Sequence, residues 1–138
     1  MKNAVILLAE DNPRDEALTL RALRKSNIFN PVVVAHNGVE ALDYLFGTGN
    51  YEGRDMNDTP ELILLDLKMP KVDGLEVLQK IRHNNATKLV PVVVFTSSSE
   101  EEDKLQSYNL GANSYVRKRL TLNNFLGRHA SLGFIGLF

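Results

Sequence analysis

Cysteine is absent from the chain of 138 residues. That absence excludes disulfides, thiolate metal sites and a cysteine nucleophile, and it fits a reducing cytoplasm. Excess charge is also absent: 16 Lys and Arg stand against 17 Asp and Glu, a formal net charge of −1. Such a balance implies no basic face, so nucleic acid is not an expected partner. No apolar run is long enough to span a bilayer, and no membrane association is expected. The run Val5–Ala9 after Met1-Lys2-Asn3 is too short for a secretory signal and runs straight into Glu10-Asp11. The expected location is the cytoplasm. There is no internal repeat and no low-complexity tract. The length suits one domain over 1–138, large enough to bury a core without covalent staples.

What is present is an alternation of apolar runs and helical patterns. The runs at 4–9, 32–35, 62–67, 90–95 and 113–118 read as strands. Between them, apolar residues recur at helical spacing: Ala17, Leu18, Leu20, Ala22 and Leu23; Val39, Leu42, Leu45 and Phe46; Leu75, Val77, Leu78 and Ile81. Asn12-Pro13 reads as a cap and first-turn proline, and Asp73-Gly74 as the turn into the third helix. Ser99 is the expected cap of an acidic helix start, with its carboxylates at the favourable end of the helix dipole. Residues 48–60 read as a polar loop, and a last helix is expected from Thr121 to about Ser131. Strand runs that do not alternate with polar residues imply a parallel sheet covered on both faces. Five βα repeats with right-handed crossovers give an α/β doubly wound sandwich.

The strand ends carry the chemistry. The first ends in Glu10-Asp11, the third in Asp66, the fourth in Thr96 and the fifth in Lys118. Ligands of open parallel sheets bind beyond the carboxyl ends of the strands, so these groups are expected to converge. Carboxylates brought together repel, unless one takes a proton or a cation sits among them. Hard oxygen ligands with room for water suit Mg²⁺, with Mn²⁺ as a substitute. A lysine beside such an ion fits an incoming phosphoryl dianion, with the Thr96 hydroxyl as a further donor. Asp66 is then the nucleophile, forming an acyl phosphate. His36 ends the second strand and falls outside the cluster if that strand lies at the edge. His36, His83 and His129 lack metal-ligand spacing, and Asp43, Asp55, Asp58 and Asp73 read as surface or turn residues.

With Glu10-Asp11, Asp66 followed by Leu-Lys-Met-Pro-Lys-Val-Asp-Gly, Thr96-Ser97 and Lys118, the chain resembles the receiver domain of two-component response regulators. The resemblance runs essentially to Lys118 and implies a flavodoxin-like fold with strand order 2-1-3-4-5. It implies that Asp66 accepts a phosphoryl group from a sensor histidine kinase. Asp11, Asp66 and the backbone carbonyl of Lys68 would hold the metal, with Glu10 reached through water. The backbone groups of Leu67 and Ser97 would meet the phosphoryl oxygens. Thr96 and Tyr115 look like the hydroxyl and aromatic pair of the activation switch. The long loop before the third strand is most similar to regulators paired with bacterial phytochromes. A homodimer built on the apolar tail Leu132–Phe138 is expected, with a downstream protein target or phosphotransfer protein as the output partner.

Other readings fit less well. Phosphatases of the haloacid-dehalogenase type carry a second Asp two residues after the nucleophile, where this chain has Lys68. The expectation is therefore a switch that catalyses its own phosphorylation and dephosphorylation, not an enzyme acting on external substrates. A flavodoxin-type cofactor protein would need a phosphate-binding loop where Glu10-Asp11 would repel it. A phosphorylation-independent pseudo-receiver, acting as a binding module, is the remaining alternative. The chain departs from the family after Lys118, where Arg119 replaces the usual proline and a trans bond is expected.

Overall fold

The structure, a computed structural model, describes residues 4–97 and 101–118. Its strands are β1 (Ile6–Ala9), β2 (Val32–Ala35), β3 (Leu62–Leu65), β4 (Val92–Thr96) and β5 (Ser114–Arg117). Its helices are α1 (Pro13–Lys25), α2 (Gly38–Phe46), α3 (Gly74–Arg82) and α4 (Glu101–Asn109), with a 3-10 turn at Gly49–Tyr51. All strand pairs are parallel, in the order β2-β1-β3-β4-β5, as the resemblance implied. β2 coincides with its apolar run, and the ends of the other strands differ from theirs by at most two residues, because ladder hydrogen bonds define a strand while burial extends past them. Ala4 and Val5 precede β1, Val90 and Pro91 precede β4, and Asp66 follows β3.

Pleating sorts the sheet residues into two cores. Leu7, Ala9, Ile63, Leu65, Val92 and Val94 face Ala41 and Leu45 of α2 and Val77, Leu78 and Ile81 of α3. Ile6, Leu8, Leu62, Leu64, Val93 and Phe95 face the other way, where Ala22 and Leu23 of α1 cover them. The helix entries fall where the sequence placed a cap, at Asn12, and a turn, at Asp73-Gly74. Asn12 Oδ1 accepts from Arg14 N and Asp15 N, at 2.9 and 3.1 Å, and Asp73 Oδ1 accepts from Glu76 N at 2.9 Å. Acidic residues Glu101, Glu102 and Asp103 occupy the first turn of α4. The cap at Ser99, the departure at Arg119, the helix from Thr121 and the tail from Leu132 lie outside the described residues.

The expected polar loop at 48–60 is better ordered than its composition suggests. The Arg54 guanidinium stacks 3.8 Å over the Tyr44 ring, donates to Tyr44 O at 2.8 Å and also donates to the Asp58 carbonyl. Tyr51 meets Tyr44 edge-on at 5.2 Å. A second arginine joins the amino ends of β4 and β5. Arg82 donates to Gly111 O at 2.9 Å, to Lys88 O at 3.1 Å, to Val90 O at 2.7 Å and to Asn113 Oδ1 at 2.9 Å. Asn113 Oδ1 in turn accepts from Val92 N at 2.8 Å.

Two glycines permit close backbone approach at the carboxyl end of the sheet. A Cβ on Gly74 would stand 2.3 Å from Asp66 O, and one on Gly38 would stand 2.0 Å from Val72 O. The amino end of α3 can thus press against the loop that carries Asp66, where Gly74 N donates to Leu67 O at 2.9 Å. Because the obstructing atoms are backbone, alanine at Gly74 must displace that loop. Gly74→Ala is expected to cost about 1–3 kcal/mol in urea unfolding, and an unchanged midpoint would show that the loop yields freely.

Candidate functional site

Parallel register brings the strand ends to one level. Ala9 pairs with both Ala35 and Leu65, so the next residues, Glu10 and Asp66, leave β1 and β3 side by side. Asp66 N donates to Ala9 O at 3.1 Å, and Glu10 N to Ala35 O at 2.9 Å. Glu10 and Asp66 are buried, whereas Asp11 is exposed. One carboxylate oxygen from each of Glu10, Asp11 and Asp66 lies within 4.8 Å of the others. Lys118 arrives from the end of β5, fixed by its N–H to Thr96 O at 2.9 Å. Its Nζ stands 2.6 Å from Glu10 Oε1, 3.0 Å from Asp15 Oδ2 and 3.1 Å from Asp66 Oδ2. The same ammonium lies 5.4 Å from the centre of the Phe95 ring.

Charge in this cluster is unbalanced. Burial pushes the Glu10 carboxyl up to about 7, and Asp66 adds to the rise while Lys118 opposes it. Burial works against the Lys118 ammonium, but Glu10, Asp66 and Asp15 together outweigh it and push the group up to about 12. The lysine is therefore firmly charged, and the surplus negative charge falls on the carboxylates. Three carboxylates within reach of one point, with a strained buried member, fit a divalent cation bound through oxygen.

The other expected residues have distinct places. Thr96 is buried at the end of β4 and Ser97 follows it, exposed. Leu67 is buried, and the N–H that reaches the Asp66 carboxylate is that of Lys68, at 3.3 Å from Oδ1. The Lys68 ammonium turns away to Asp103 Oδ2, at 3.3 Å. Tyr115 is half-buried against the core, and its backbone N donates to the Tyr108 hydroxyl at 3.2 Å. His36 lies outside the cluster at the edge strand, 3.2 Å from Glu16 and 3.6 Å from Glu40. Sequence reasoning missed Asp15 and Asp103. For Asp15 a signal existed, since it sits in the helix turn directly after the acidic pair. For Asp103 the run of like charges concealed the member that, among the described residues 101–103, is buried.

Because the folded Glu10 carboxyl ionises at about 7 instead of the ordinary 4.5, its contribution to stability is full below pH 4.5. That contribution is lost as pH rises through 7. In metal-free protein, wild type should lose stability relative to Glu10→Gln across this window, by on the order of 1–3 kcal/mol. Parallel urea titrations at pH 5 and pH 8 read the difference; a gap that does not change with pH would contradict it.

A family model described as the response regulator receiver domain matches residues 6–129. Response regulator Rcp1 of Synechocystis sp. is 41% identical over 120 residues, covering 87% of this chain and 80% of that protein. The solved bacteriophytochrome response regulator AtBRR is 49% identical with a TM-score of 0.80, over 100% of this chain and 96% of that one. The Mn(2+)-bound form of Rcp1 gives 36% identity and a TM-score of 0.83, over 98% and 96% of the two chains. The phosphorylated cyanobacterial phytochrome response regulator RcpA gives 38% and 0.80, over 91% and 90%. With the fold, the strand-end cluster and these relatives in agreement, the chain belongs to the receiver-domain family of response regulators and is similar along its length to the members associated with phytochromes.

Proposed function

We propose that Asp66 is the phosphoryl acceptor of this response regulator and that a sensor histidine kinase, a phytochrome among the candidates, is the donor. The observation that carries the reading is the contact of the Asp66 carboxylate with Lys118 at 3.1 Å beside the acidic group of Glu10 and Asp11. An Asp66 carboxylate oxygen attacks phosphorus; the P–O bond forms as the P–N bond of a phosphohistidine breaks, and the leaving imidazole takes a proton. Lys118 neutralises charge on the arriving oxygens, and the Thr96 hydroxyl donates to one of them. Asp11, Asp66 and the backbone carbonyl of Lys68 would hold Mg²⁺, or Mn²⁺ in its place, with Glu10 reached through water; when bound, the ion offsets charge on the transferring group. Leu67 and Ser97 would supply backbone N–H groups to the phosphoryl oxygens.

Output passes through a change at Thr96 and Tyr115. A downstream protein or a phosphotransfer protein reads that change, in a cytoplasmic setting and without nucleic acid. A phosphatase reading is disfavoured by Lys68, whose ammonium is drawn to Asp103 and cannot act as the second carboxylic acid. A pseudo-receiver is disfavoured because Glu10, Asp11, Asp66, Thr96 and Lys118 are all in place. The chain acts as one receiver unit over 1–138, catalyses only its own phosphorylation and dephosphorylation, and pairs as a homodimer.

Incubation with Mg²⁺ and phosphoramidate should add one phosphoryl group by intact mass in wild type and none in Asp66→Asn. A wild-type protein that stays unlabelled would leave the binding-module reading. For the dimer, small-angle scattering at micromolar concentration should give twice the chain mass, and a monomer mass would contradict it.

A further inference from the structure

The Lys118 ammonium has three N–H groups, and three carboxylates surround it. Glu10 stands at 2.6 Å, Asp15 at 3.0 Å and Asp66 at 3.1 Å. Phosphorylation removes the charge of the Asp66 carboxylate and puts a dianionic group of three oxygens near the same ammonium, so for the lysine to make more than one contact to that group Glu10 or Asp15 must also give way. The side chains of Glu10, Asp66 and Asp15 are 0%, 5% and 17% exposed. Glu10 is fully buried, so bulk solvent cannot take the place of the lysine on its Oε1, which makes its release costly. Asp15 is the most exposed, so water can replace the lysine there. It also sits in the first turn of α1, where the helix dipole continues to favour its charge after release. Asp15 further stands outside the trio of carboxylates able to share a cation.

We propose that Asp15 is a positioning residue for phosphorylation: it holds the Lys118 ammonium in the resting site and surrenders it to the phosphoryl group. Its bond to Lys118, spanning 103 positions of sequence, stabilises the resting site selectively and so slows the modification of Asp66. The proposal rests on the phosphoryl-acceptor reading of Asp66.

The test compares wild type, Asp15→Asn and Asp15→Ser in time courses of labelling by phosphoramidate at saturating Mg²⁺, each also made in a Lys118→Ala background. A partly exposed ion pair corresponds to a rate gain of about two- to fivefold in both Asp15 variants. The gain should shrink to near one when Lys118 is absent, because Asp15 acts through that lysine. Equal or slower labelling of both variants beside a labelled wild type overturns the role of Asp15. A gain that persists without Lys118 assigns the effect to the charge of Asp15 on the anionic donor and overturns the role as well. A wild type that takes no phosphoryl group removes the acceptor reading, and the proposal with it.

Discussion

One ammonium faces three carboxylates at the carboxyl end of the sheet, and the surrounding structure is arranged around that imbalance. Lys118 is nearly buried, at 8% side-chain exposure, so its charge acts at short range with little screening. It draws together β1 through Glu10, β3 through Asp66 and α1 through Asp15. A neutral cluster would hold these elements at lower electrostatic cost. The surplus negative charge instead suits the site to a cation held by the carboxylates of Glu10, Asp11 and Asp66.

The backbone makes this imbalance possible. Three neighbouring strands end in register, and the loop after Asp66 is pressed against α3 by a glycine, so the acidic side chains have little freedom to separate. The two hydrophobic layers on either face of the sheet supply the stability against which such a cluster can be tolerated. Capping at Asn12 and Asp73 directs the chain out of the site, and Glu10 Oε2 joins the first of these turns by accepting from Asn12 N at 3.2 Å.

Much of this was legible in the sequence. Apolar runs without alternation indicated a parallel sheet, and the residues just after them marked the site because such sheets bind at that end. Asp66, Glu10 and Lys118 follow from strand placement alone. The strand order did not; it came from family resemblance, since periodicity carries no information on which strands are neighbours. Asp15 escaped notice because its partner lies on the far strand and only the folded geometry joins them. The ordered loop at Arg54 escaped for a related reason: its polar composition concealed a guanidinium stacked on Tyr44, a contact that depends on the three-dimensional return of the chain.

The cross-link made by Arg82 has a mechanical consequence. One planar guanidinium ties the segments leading into β4 and β5 to the end of α3, while Thr96 and Lys118 lie at the opposite ends of those strands. β4 is also laddered to β3 on its other side, and Lys118 N donates to Thr96 O at the far end. With both ends of the β4–β5 pair tied, the spacing between Thr96 and Lys118 is set by the backbone and not by their side chains.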